Sequence, residues 1–113
     1  MTNLAYIHQR LHERTPQLRA AGHNAAVAAI LCPDDHDEVQ LLFIERARVS
    51  GDPWSGHIAF PGGRIEAQDT SLRAAAERET LEEIGLDLSN GQYLGRLDDL
   101  CGTTLPVQVA AFV

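Results

Sequence analysis

The chain predicts an α+β fold, a mixed sheet of short strands layered against helix, on three observations. Two apolar, strand-like runs at residues 24–31 and 39–46 are joined by an acidic turn. A helical pattern over 71–84 ends at a glycine. A second helical pattern precedes the strands at the N-terminus. In order, Leu4, Ile7, His8 and Leu11 recur at helical spacing and predict an amphipathic helix over 3–15, stopped near Thr15 and Pro16. Residues 24–31, almost unbroken in apolar side chains, fit a strand buried on both faces, and 39–46 its hairpin neighbour across the turn at 34–37. A loop with Gly51, Pro53 and Gly56 comes next. A short strand over 58–60 then enters a Pro-Gly-Gly turn at Pro61, Gly62 and Gly63. The central helix is expected over 71–84, with Gly85 as its C-cap and Ala74, Leu81 and Ile84 facing the core. Strands over 92–97 and 105–113 complete the set.

A chain of 113 residues is read as one domain with a single core and little to spare. No apolar run approaches the roughly 20 residues of a membrane span, and the polar N-terminus lacks the apolar centre of a secretion signal. A cytoplasmic protein is expected. The net charge of −7 disfavours nucleic acid as a partner, because there is no basic stripe to displace counterions from phosphates. Cys32 and Cys101 are far apart, without C-x-x-C spacing, and are expected to be buried or idle thiols.

The chemistry concentrates in the central helix. Glu79, Glu82 and Glu83 stand at i, i+3 and i+4 and share one helical face. Such close like charges repel and call for a positive partner. An all-oxygen anionic set suits Mg²⁺ or Mn²⁺ rather than zinc. A solvated acidic surface would give the same letters in isolation. The preceding turn adds information, because Gly62 and Gly63 let the backbone approach a cation or a phosphate.

Together these residues resemble the box of the Nudix hydrolases, written G-x5-E-x7-R-E-U-x-E-E-x-G-U, where U is aliphatic. Gly63, Asp69, Arg78, Glu79, Glu82, Glu83, Gly85 and Leu86 supply it, over residues 63–86. The spacing from Gly63 to Arg78 is one residue longer than the general box, so Asp69 or Glu66 takes the place of the first glutamate. Thr80 stands where an aliphatic residue is usual. The resemblance implies an α/β/α sandwich with a mixed sheet, and such domains usually continue for some thirty residues beyond the point where this chain ends. An incomplete C-terminal side would leave strand edges uncovered, from which a homodimer is expected.

The resemblance also implies Mg-dependent hydrolysis of a diphosphate in a nucleoside diphosphate linked to another moiety. A catalytically silent binding or assembly module is the alternative. Glu79, Glu82, Glu83 and the Gly63 carbonyl would hold the metal. Arg78 would orient this face by pairing with the loop acid or with a box glutamate, and Glu82 or Glu83, or an acid outside the box, would accept a proton from water. The segment from Gly56 through Phe60, Pro61, Gly62 and Gly63 is similar to the coenzyme A pyrophosphatase-like group, although Asp52 stands where that pattern has an arginine. Arg46 and Arg48 either supply positive charge for a substrate phosphate or end a strand in solvent. Trp54 either stacks on substrate or anchors its loop, and His57 is read as structural.

Overall fold

Small residues set the centre of the molecule. In the computed structural model, which describes residues 4–18, 22–34, 36, 38–46, 50, 51, 56–101 and 108–113, strand β1 (Ala25–Ala28) lies in the middle of a four-stranded sheet. Its neighbours are β6 (Gly62–Arg64), antiparallel, and β8 (Gln108–Phe112), parallel, with β7 (Leu100–Cys101) beyond β8. The sheet is therefore mixed, as expected. The register sets Ala26 opposite Gly63 on one side and Ala110 on the other. Ala26 and Ala28 are buried while Ala25 and Val27 are half-covered, so one face of the strand is sealed rather than both.

The long apolar run does not continue as one strand. It breaks after Ala28 and resumes as β2 (Leu31–Pro33), which pairs with β3 (Val39–Leu41) in a separate hairpin. The acidic turn closes it: the Asp34 carboxylate accepts from the backbone N–H of His36 at 2.8 Å and of Glu38 at 2.9 Å, an Asx-type arrangement. A third small ladder pairs β4 (Ile44–Glu45) with β5 (Ile58–Ala59). Cys32 is free and exposed on β2, not buried.

Helix α2 (Leu72–Ile84) packs on the sheet as predicted, one residue later at its start because Ser71 is the N-cap. The Ser71 hydroxyl accepts from the Ala74 N–H at 2.9 Å, and Gly85, at φ 72°, ends the helix by donating to the Leu81 carbonyl at 2.9 Å. Its buried face differs from the expected one. Ala75, Ala76 and Thr80 are buried, whereas Leu81 is 50 % and Ile84 40 % exposed. The reason is close approach: alanines against Ala26 and Phe112 let the helix settle on the sheet, with Ile65 and Leu72 packed at the edges. Thr80 meets the polar cost of its burial by donating its hydroxyl to the Ala76 carbonyl at 2.7 Å.

The segment expected as a strand over 92–97 is not one. It carries a 3-10 turn before it (Leu88–Asn90) and touches β8 through a single bridge, Arg96 to Phe112. Leu94 and Gly95 exchange backbone hydrogen bonds with Val113 instead, at 2.8–3.4 Å. Helix α1 (Leu4–Glu13) forms within the expected 3–15 and buries none of its residues fully. The residues just after α1 are tethered. Arg14 pairs with Asp98, the Gln17 N–H donates to Asp98 at 2.8 Å, and the Asp99 N–H donates to the Gln17 carbonyl at 3.0 Å. Behind this clasp Asp99, 2 % exposed, meets His23 at 2.7 Å and Arg96 at 3.0 Å. Among the described residues no helix is long and apolar enough to cross a membrane.

Candidate active site

The site is built where α2 crosses β6. Gly62 holds φ 152°, and a Cβ there would lie 2.6 Å from the Val27 Cα, so only glycine lets β6 lie this close to β1. At Gly63 the obstacle would be functional: a Cβ would fall 2.6 Å from the Glu79 carboxyl carbon. The bare glycine backbone therefore forms a cradle for that carboxylate. One position along, the Gly62 N–H donates to Glu83 Oε1 at 3.0 Å. Glu79 and Glu83, one helical turn apart, thus both reach the Pro-Gly-Gly turn, next to the core-facing stripe rather than opposite it.

Arg78 organises the rest. Its Nε and Nη2 grip Asp69 in a two-pronged pair at 2.8 and 2.9 Å, Nη1 donates to Glu79 at 3.0 Å and to Glu82 at 3.2 Å, and Nη2 also donates to the Arg64 carbonyl at 3.1 Å. Glu66 is farther away, at 3.7 Å. The loop acid left open by the spacing is therefore Asp69, 4 % exposed, while Glu66 stays 47 % exposed at the rim. The extra loop residue is absorbed in a tight turn in which the Asp69 N–H donates to the Glu66 carbonyl and Asp69 Oδ2 accepts from the Glu66 N–H. Sequence reasoning missed the Arg64 carbonyl, for which the letters carry no signal.

The electrostatics are set by these contacts. The Arg78 hydrogen bonds, helped by the Glu66 N–H, hold the Asp69 carboxyl down at about 2, and the same pairing pushes the Arg78 guanidinium further up. Glu83 moves the other way. Burial of its carboxyl against the turn raises its pKa, the Gly62 N–H opposes this, Glu79 and Glu82 add repulsion, and Arg46 lowers it. Arg46 is thus close enough to be felt at the acidic cluster. Its backbone is pinned to the β4–β5 ladder by an N–H donated to the His57 carbonyl at 2.8 Å, and His57 itself is exposed. Arg48 and Trp54, also expected at the substrate, lie outside the described residues.

The donors at this site are carboxylate oxygens seated on a glycine backbone, and such oxygens are the ligands that a hard divalent cation takes. The Gly63 cradle fits that use. Among the described residues, however, no three His, Cys, Asp or Glu side chains converge closely enough to hold a metal ion. The cause is visible: Arg78 occupies oxygens of both Glu79 and Glu82, and Glu83 is turned to the Gly62 N–H. Glu82, at 59 % exposure, has room to change partners.

The family model of the NUDIX domain matches residues 22–105. NudL of Escherichia fergusonii, an uncharacterized Nudix hydrolase, is 32 % identical over 89 residues, covering 79 % of this chain and 46 % of that protein. An uncharacterized protein of Schizosaccharomyces pombe, C14C4.10c, is 44 % identical over 61 residues, 52 % of this chain and 18 % of the yeast protein. The chain thus spans about half the length of the NudL relatives, or less. Among solved structures, the MutT protein of Methanosarcina mazei Go1 superposes with a TM-score of 0.55 at 24 % identity, over 88 % of this chain and 63 % of that one. The NUDIX domain of Shewanella oneidensis NrtR, crystallised with ADP ribose, gives 0.58 at 18 % identity, over 99 % and 69 %. These likenesses show the fold. Taken with the matched box, the sheet and the helix that carries it, they establish that the chain belongs to the Nudix family.

Proposed function

We propose that this domain hydrolyses the diphosphate linkage of a nucleoside diphosphate joined to a second moiety, with Mg²⁺ or Mn²⁺ as cofactor. The observation that supports it most is the seating of Glu79 and Glu83 on the Gly62 and Gly63 backbone, with Arg78 locked to Asp69 behind them. Glu79, Glu82, Glu83 and the Gly63 carbonyl would hold the cation. Once bound, it would neutralise charge on the phosphoryl oxygens. Arg78 is a positioning residue in this reading, since it ties the acidic face of α2 to the loop through Asp69. Glu82 or Glu83 takes the proton from the attacking water. Arg46, which offsets the charge of Glu83, would meet a substrate phosphate.

Coenzyme A is the substrate to try first, because the Gly56 to Gly63 segment resembles that group of pyrophosphatases. ADP-ribose is the second, since the NrtR domain was crystallised with it. The second reading, a silent binding module, is favoured by the grip of Arg78 on Glu79 and Glu82. One experiment separates them: product release from coenzyme A, ADP-ribose, dinucleotides and sugar nucleotides with Mg²⁺ or Mn²⁺. Turnover that falls about 100-fold in Glu82→Gln supports the hydrolase. No turnover of any substrate supports the module. Sedimentation tests the proposed homodimer, and a monodisperse monomer removes it.

A further inference from the structure

On the flank of α2 away from the glutamates lies a cavity of 140 Å³, walled by Ala28, Ile30, Leu31, Leu94 and Phe112 and edged by Arg73. At 100° per residue Arg73 and Glu77, which edge the cavity, lie about 120° or more around α2 from Glu79 and Glu82, so the helix separates this cavity from the acidic cluster. It opens just past the carboxyl ends of the parallel pair β1 and β8, a position where α/β sheets commonly receive ligands.

We propose that this cavity is a second binding site, distinct from the acidic cluster, for a molecule with one aromatic ring bearing a carboxylate. Volume sets the ring count, because roughly 150 Å³ is the space that takes up a single benzene. The walls suit such an occupant. Their backbone groups are already bonded to one another: the Ala29 N–H donates to the Phe112 carbonyl at 2.7 Å, and the Leu94 N–H donates to the Val113 carbonyl at 2.9 Å. A polar guest would find few partners there, whereas an apolar ring loses nothing by leaving water.

Arg73 supplies the anion recognition. Its guanidinium carbon sits over the Tyr93 ring at the rim, 4.1 Å from the centroid, and its Nε reaches Glu77 at 3.4 Å. Both Nη groups lack a hydrogen-bond partner among the described residues, leaving a two-pronged donor edge of the kind that matches a carboxylate. Glu77 partly offsets this charge.

The test is a titration of the ¹⁵N-labelled full chain with benzoate, benzamidine and benzyl alcohol at constant ionic strength, read from amide shifts. Benzoate should saturate at about 10 mM or below. It should move Ala29, Gly91 and Tyr93 while leaving Gly62 and Gly63 in place. Arg73→Gln, at a half-exposed position, should weaken benzoate about tenfold, the scale of one charge-assisted bond. Glu77→Gln should strengthen it. Shifts without saturation, equal binding of benzamidine, or an Arg73→Gln variant that binds benzoate as tightly as the parent would each overturn the proposal.

Discussion

The two flanks of α2 solve opposite problems with the same helix. Toward β6, carboxylates are gathered and held by one arginine, two glycines and a loop aspartate. Toward β8, Arg73 and Tyr93 close over an apolar wall that includes Phe112. The difference teaches that the acidic flank depends on backbone position, since its contacts need Gly62 and Gly63 where they are. The other flank depends on side chains that can be exchanged one at a time.

The sharpest way to break the acidic flank is therefore through β6. Gly62→Ala introduces a Cβ into β1 at a positive φ, and should cost about 3 kcal/mol in urea unfolding, the upper end of the range for core overpacking. It should also abolish any hydrolysis, because the clash must shift β6 and draw the backbone N–H at this position away from Glu83. Asp69 gives the next effect, and its sign is fixed. Its folded pKa is depressed to about 2 from 3.8, so its contribution is fully present above pH 3.8 and is lost as pH falls through about 2. Asp69→Asn should lower stability at neutral pH and flatten the decline between pH 4 and pH 2, checked by unfolding at several acid pH values. Glu83 works in the opposite sense, its raised pKa giving most stability at low pH and less as pH rises. The smallest effect belongs to the outer face. Leu81→Gln, at a half-exposed position, should change stability by less than about 0.5 kcal/mol. A larger loss would show that something covers Leu81 in solution.

Much of the box is legible in the sequence because its chemistry is local. The i, i+3, i+4 acids, the Gly85 cap and the Pro-Gly-Gly turn are read from spacing, and the structure keeps them together. The core face of α2 is not legible in the same way, because side-chain size is a poor guide to burial on this helix. Leu81 and Ile84 are larger than Ala75 and Ala76, yet the alanines are buried because they let the helix approach β1. Residues 92–97 carry strand-like side chains, but their partner is the backbone of Val113, a pairing between segments distant enough that periodicity does not report it. The choice between Asp69 and Glu66 has the same character. Only the reach of Arg78 decides it, and that depends on how the loop folds its extra residue.

Helix α1 owes its attachment to the clasp behind it and to a small contact of Leu11 with Gly95, since none of its residues is fully buried while Arg14 and Gln17 are gripped by Asp98 and Asp99. Its amides should consequently exchange with deuterium at the rate of local fraying, and the Gln17 amide far more slowly, so that one segment of ten residues unzips while its anchor stays shut.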